Sequence, residues 1–227
     1  MRESGILMHI TSLPAPYGIG TMGKDAYAFV DFLVRAGQRY WQILPLTPTG
    51  YGDSPYQSLG ACAGNHYLID LDTLVDEGLL KKEEIQNISW GSNPARVDFG
   101  AMYAHRMNVL RQAFQRFTPD GAYETFVEQN RSWLEDYALF TALKDTLGGK
   151  PWLEWPEALR LRKADALTEK RRELSDEIRL QYFVQYEFDR QWKALRSYAN
   201  AKGIRIIGDV PIYVPLDSAD VWANPEL

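Results

Sequence analysis

Cysteine is almost absent from this chain. Cys62 stands alone among 227 residues, so no internal disulfide can form and a reducing compartment suits it. A surplus of one charge is missing too. Twenty-five basic residues against thirty acidic ones leave a net −5, with Lys and Arg scattered, which excludes the basic footprint of a nucleic-acid binder. No apolar run reaches membrane length, and Met1-Arg2-Glu3-Ser4-Gly5 leads straight into a strand-like segment rather than a signal peptide. The expectation is a soluble, cytoplasmic protein with no membrane or nucleic-acid partner. Histidine is scarce as well. His9, His66 and His105 lie far apart without ligand spacing, so no metal site is read.

What is present is apolar and aromatic. At 45% hydrophobic the chain can bury a substantial core, as one large domain or two small ones. Seven Trp and thirteen Tyr are first of all core material, so only aromatics in loops are taken as ligand candidates. Gly5–Ile10 reads as a short strand covered on both faces, ended by the prolines and glycine of Thr11–Gly18. Lys24–Ala36 reads as a helix, with Gly37 where a left-handed C-terminal cap is wanted. Tyr40–Leu46 is a second strand, and strand, helix and strand make a βαβ unit with parallel strands.

Helical periodicity then takes over, in Phe99–Phe117, Trp133–Asp145 and Leu174–Ala201. Pro151–Pro156 is a rigid aromatic connector, and the charged run Arg160–Arg172 is a solvated helix or loop. Strand character returns at Ile204–Val210, which ends in Asp209. This organisation gives expected divisions of 1–71 (first strands and a loop), 72–202 (a largely helical insertion) and 203–227 (a third strand region). An acidic residue at a strand's carboxyl end suits a parallel α/β barrel and equally a doubly wound sheet. Three strands do not separate the two.

The most informative stretch is Tyr51-Gly52-Asp53-Ser54-Pro55-Tyr56-Gln57-Ser58, directly after the second strand. Aromatic faces stack on sugar rings, and Asp, Ser and Gln supply hydrogen bonds for a polyhydroxyl ligand. Loops of this kind on a rigid strand are where binding chemistry is carried. The plainer reading is a surface turn, since Gly, Asp, Ser and Pro are all turn formers.

Three blocks carry a resemblance. Ser4–Pro14 with Tyr17-Gly18-Ile19-Gly20 is the first. The second is Tyr40–Leu46 with Gly52–Ser58, Ala63-Gly64-Asn65 and Leu68–Leu71. Gly208–Val214 with Asp217–Pro225 is the third. In this order they closely resemble the opening half of the amylomaltases, the 4-α-glucanotransferases also called disproportionating enzymes. The resemblance implies the N-terminal part of a (β/α)8 TIM barrel with a largely helical insertion. It also implies transfer of α-1,4-glucan segments between maltooligosaccharides by a retaining double displacement, without cofactor. Such chemistry needs a carboxylate nucleophile and a carboxylic acid about 5 Å apart. In the family these lie in later strands, so none of the thirty acidic residues here is assigned either role. The catalytic set is therefore expected beyond Leu227, which makes this chain an N-terminal portion expected to be inactive alone.

By the same motif match, Ser54 and Tyr56 would contact glucose units near the cleavage point. Asp209 would sit beside the reacting sugar. Tyr51 matches a secondary glucan contact of some members, and Asp53 would fix the loop. Trp222 would pack the segment after the third strand. His66 stands where many relatives carry a proline or small residue, which bears on the local shape of that loop. A rival from another class is a short protein that binds α-glucan without catalysis. A second rival is an α/β-barrel enzyme of small phosphorylated substrates. It would need a phosphate loop at a helix N-terminus, which Gly18–Gly23 only imitates.

Overall fold

Side-chain exposure alternates along three short segments, and each is a strand. β1 (Gly5–Leu7) is followed by α1 (Lys24–Arg35), β2 (Tyr40–Gln42), α2 (Leu71–Asp76), α3 (Lys82–Gln86) and α4 (Phe99–Phe114). Then come α5 (Gly121–Thr146), α6 (Glu157–Arg160), α7 (Ala164–Glu173), α8 (Ser175–Ala201), β3 (Arg205–Ile207) and α9 (Ala219–Ala223). This is a helix-rich α/β chain with a small parallel sheet. The structure, a computed structural model, describes residues 2–50 and 52–226.

The strands pair in the order β1-β2-β3, parallel throughout, with Ile6 opposite Trp41 and Trp41 opposite Ile206. Among the described residues every regular element between Ile85 and Lys202 is helical. Two compact units divide the chain: Met1–Leu46 with Asn65–Thr118 and Glu187–Val210, and Thr47–Gly64 with Pro119–Tyr186 and Pro211–Leu227.

The first unit holds the sheet. Ile6, Trp41 and Ile206 face one way and pack with Val30 and Leu33 of α1 and Leu195 and Ala199 of α8. Helix α1 stops where Gly37 takes φ +68. Its N–H donates to Val34 O, and that of Gln38 to Leu33 O at 2.9 Å, so the turn satisfies carbonyls the helix leaves open. The second unit packs α5 against α9 and the aromatic connector. Phe140, Trp155 and Trp222 form its centre, with ring centroids 5.3 to 5.9 Å apart.

Four expectations change in detail. The first strand ends at Leu7, because Ile10–Ser12 closes a 3-10 turn in which Leu13 N–H donates to Ile10 O at 3.0 Å. The second ends at Gln42, before Pro45, which has no N–H to donate to a ladder. Nor is the sheet covered on both faces: Leu7 is 56% exposed and Ile207 43%. Helix α5 starts twelve residues before Trp133, where the Asp120 carboxylate accepts from Tyr123 N–H at 2.8 Å. That N-cap outweighs the polar stretch following it.

Candidate functional site

A short turn shapes the loop that leaves β2. Thr49 pairs with Ser58 in an antiparallel bridge, and Gly50 N–H donates to Gln57 O at 3.0 Å. Thr47 Oγ1 donates to Pro55 O at 3.1 Å, tying the loop's start to its tip. At the tip Gln57 N–H donates to Ser54 O at 3.1 Å, and Tyr56 N–H to Ser54 Oγ at 3.3 Å. Ser54 thus accepts within the turn and keeps its O–H as a donor, since a hydroxyl does both. Tyr56 leaves 46% of its surface exposed, enough ring to lie against a ligand. Asp53 takes φ +57, a region Asp tolerates better than most, and its N–H donates to Gly50 O. Tyr51 lies outside the described residues.

The root of the loop is fixed more firmly than its tip. Ala219 N–H donates to Leu59 O at 2.8 Å, and Ala61 N–H to Asp220 Oδ2 at 2.9 Å. Ser58 Oγ donates to Gly60 O and accepts from Gly60 N–H. A Cβ at Gly60 would stand 2.6 Å from Tyr137 Cδ2, so only glycine lets the backbone lie on that ring. Helix α9, which supplies Ala219 and Asp220, begins at Ser218, whose Oγ accepts from Val221 N–H at 3.3 Å.

Ser54 and Tyr56 therefore share one turn of the second unit. Asp209 belongs to the first unit, just beyond β3, half-buried, with Oδ1 accepting from Val210 N–H at 2.8 Å. That bond is local, coming from the next residue along the chain. Trp222 is fully buried and its Nε1 donates to Leu159 O. The residues supporting the loop root, Asp220 and Gln185, were not read from sequence as site residues. Ser218 ahead of an apolar turn is a cap signature, but no local pattern says which loop Asp220 holds.

Among the described residues no group of three His, Cys, Asp or Glu could hold a metal ion. Burial pushes the His9 imidazole down to about 4, and burial with the nearby Arg106 cation pushes His66 down to about 3. Both are neutral at pH 7. His66 opens a 3-10 turn whose first residue, Asn65, accepts from Tyr67 N–H through its side chain. The first unit also contains a cavity of about 1160 Å3, walled by residues 11–20 and 88–97 with Tyr17 and Trp90 edge to face; none of the expected site residues lines it. Among the described residues no helix is long and apolar enough to cross a membrane.

With this geometry in hand, comparison with known proteins is direct. The family model described as 4-alpha-glucanotransferase matches residues 8–227. The 4-alpha-glucanotransferase of Streptococcus pneumoniae is 50% identical over 230 residues, covering 100% of this chain and 46% of that protein. That of Thermus thermophilus is 51% identical over 231 residues, covering 99% of this chain and 45% of its own length. Among solved structures, the amylomaltase from Streptococcus agalactiae in complex with acarbose superposes with a TM-score of 0.96 at 49% identity. It covers 100% of this chain and 47% of that one. The chain spans about half the length of the curated relatives it matches.

Proposed function

The chain belongs to the 4-alpha-glucanotransferase family, and from that premise we propose that it supplies a sugar-binding wall for glucan transfer. The reaction is movement of α-1,4-glucan segments between maltooligosaccharides, with retention at the anomeric carbon. The observation that carries this reading is identity of about half the residues along the whole chain to proteins of that activity.

Three parallel strands in sequence order, with α1 between the first two, support the opening of a (β/α)8 barrel. In such a barrel side chains following different strands meet at the carboxyl rim. Ser54 and Tyr56 follow β2 and Asp209 follows β3, the positions from which such rim residues come. Tyr56 would lie against a glucose ring and Ser54 would donate to a hydroxyl. Asp209 would hold hydroxyls of the sugar that distorts towards the transition state. Tyr51 remains a candidate for a more distant glucan contact. The helical stretch 72–202 would be the insertion between the second and third strands. Retaining chemistry by two carboxylates calls for no metal or cofactor, and the cytoplasm suits a chain with one thiol.

The experiment is a chimera in which this chain replaces the matching 230 residues of the Streptococcus pneumoniae enzyme. Incubated with maltotriose, it should yield both glucose and longer maltooligosaccharides. Asp209→Ala should lower kcat by about 10²-fold or more with a smaller change in KM, because interactions stronger in the transition state appear in the rate constant. A folded chimera yielding neither product would sink the reading. Glucan binding without turnover would favour the non-catalytic alternative.

A further inference from the structure

The sugar-facing loop returns to the fold through Gly64, and what meets it there is a side chain rather than a strand. Gln185, on α8, is 2% exposed. Its Oε1 accepts from Gly64 N–H at 2.7 Å, and its Nε2 donates to Gly64 O at 3.0 Å. The carboxamide thus offers Gly64 one acceptor and one donor, as a neighbouring β-strand would. Both partners are buried, so removing the amide leaves a backbone N–H and C=O without water to replace it.

The arrangement is repeated within the first unit. Gln191, six residues later on α8, accepts from Asp70 N–H at 2.7 Å and donates to Asp70 O at 3.4 Å, and it is 5% exposed. In both pairs the partners are 121 residues apart, so helix and segment keep register over both clasps.

We propose that Gln185 is a positioning residue for glucan binding. It fixes the point where the Thr47–Gly64 loop ends and thereby the orientation in which Ser54 and Tyr56 are presented. This rests on the glucan reading of those two residues. The division of labour is specific. The loop's own bonds, from Thr49–Ser58 to Tyr56–Ser54, set its internal shape, whereas Gly64, together with the α9 contacts at Leu59 and Ala61, sets where that shape stands. Loss of Gln185 should therefore loosen the loop while leaving the aromatic core of the second unit intact.

The test is hydrogen exchange on the chimera that carries this chain, read as protection factors, alongside maltotriose titration. In Gln185→Leu the amides of Ala61, Gly64 and Ala219 should lose protection by about tenfold or more, the effect of leaving buried backbone groups unpaired. Amides within α5 should hold theirs. Gln191→Leu should loosen Asp70 and spare the loop. Gln185→Glu adds a signature that a space-filling role lacks. Its carboxylate can accept from Gly64 N–H but only opposes Gly64 O, whereas the protonated acid restores the donor.

Loop protection and maltotriose affinity in Gln185→Glu should therefore both rise as pH falls through a carboxyl pKa raised by burial, while wild type shows no such rise. Equal loosening in Gln185→Leu and Gln191→Leu, or a Gln185→Glu variant indifferent to pH, would overturn the proposal. Should wild type itself ignore maltotriose, the glucan reading falls and with it the word glucan; the exchange data still decide whether Gln185 orients the loop.

Discussion

At the scale of single residues, two histidines set an acid limit on stability. An imidazole with an ordinary pKa near 6.5 that is held neutral by burial binds its proton more weakly folded than unfolded. His9 is pushed down to about 4 and His66 to about 3. Their contribution is thus fully present above pH 6.5 and is lost as pH falls towards the folded values, because the unfolded chain takes up protons that the folded one refuses. Between pH 7 and 5 each should cost about 1–2 kcal/mol. Urea denaturation at the two pH values measures it, and His66→Gln should remove one proton's share of the slope. An unchanged slope would mean that the imidazole binds its proton equally well in the folded and the unfolded chain. Arg106 shows what sequence cannot announce at this scale. It is fully buried and its Nη2 donates to Tyr67 O and Ile69 O at 2.7 and 2.6 Å. Nothing in the spacing of α4 says that two carbonyls from a distant turn await a guanidinium there.

Among elements, the loop and the long helix α5 depend on one close approach. A methyl at Gly60 would meet the Tyr137 ring at 2.6 Å, whereas one at Gly121, the first residue of α5, meets nothing within 4 Å. Gly60→Ala should therefore destabilise by about 1–3 kcal/mol through overpacking. Gly121→Ala should stay within about 0.5 kcal/mol of wild type or improve on it. Thermal unfolding of the two variants is the measurement, and equal melting temperatures would show that the ring yields freely. Elements with strong local signals were legible: α1 ends at its glycine. The first half of α5 was not, because Glu124, Glu128, Gln129, Asn130 and Arg131 dilute its apolar period. Strand lengths were overread, since an apolar run continues past the point where backbone pairing stops.

For the molecule as a whole, the uncovered sheet face matters most. Leu7, Ile207 and Val210, all in the first unit, are 56%, 43% and 78% exposed, and an apolar parallel sheet with one bare face invites association. The 227-residue chain by itself should therefore self-associate. Leu7→Lys with Ile207→Lys should raise the fraction of monomer in sedimentation velocity, and a wild-type chain monomeric at high concentration would contradict this. Parallel order was legible from the switch of hydrophobic period on either side of the helices. The candidate site was legible only as single residues on separate segments, because spacing along a chain does not say which segments a topology brings together. Sequence distance has a further consequence in time. Ala61 and Asp220, joined through a hydrogen bond, are 159 residues apart. A ribosome adding about 5–20 residues per second makes the loop roughly 8–30 seconds before the carboxylate that receives it. The root of that loop is thus made well before the helix that holds it.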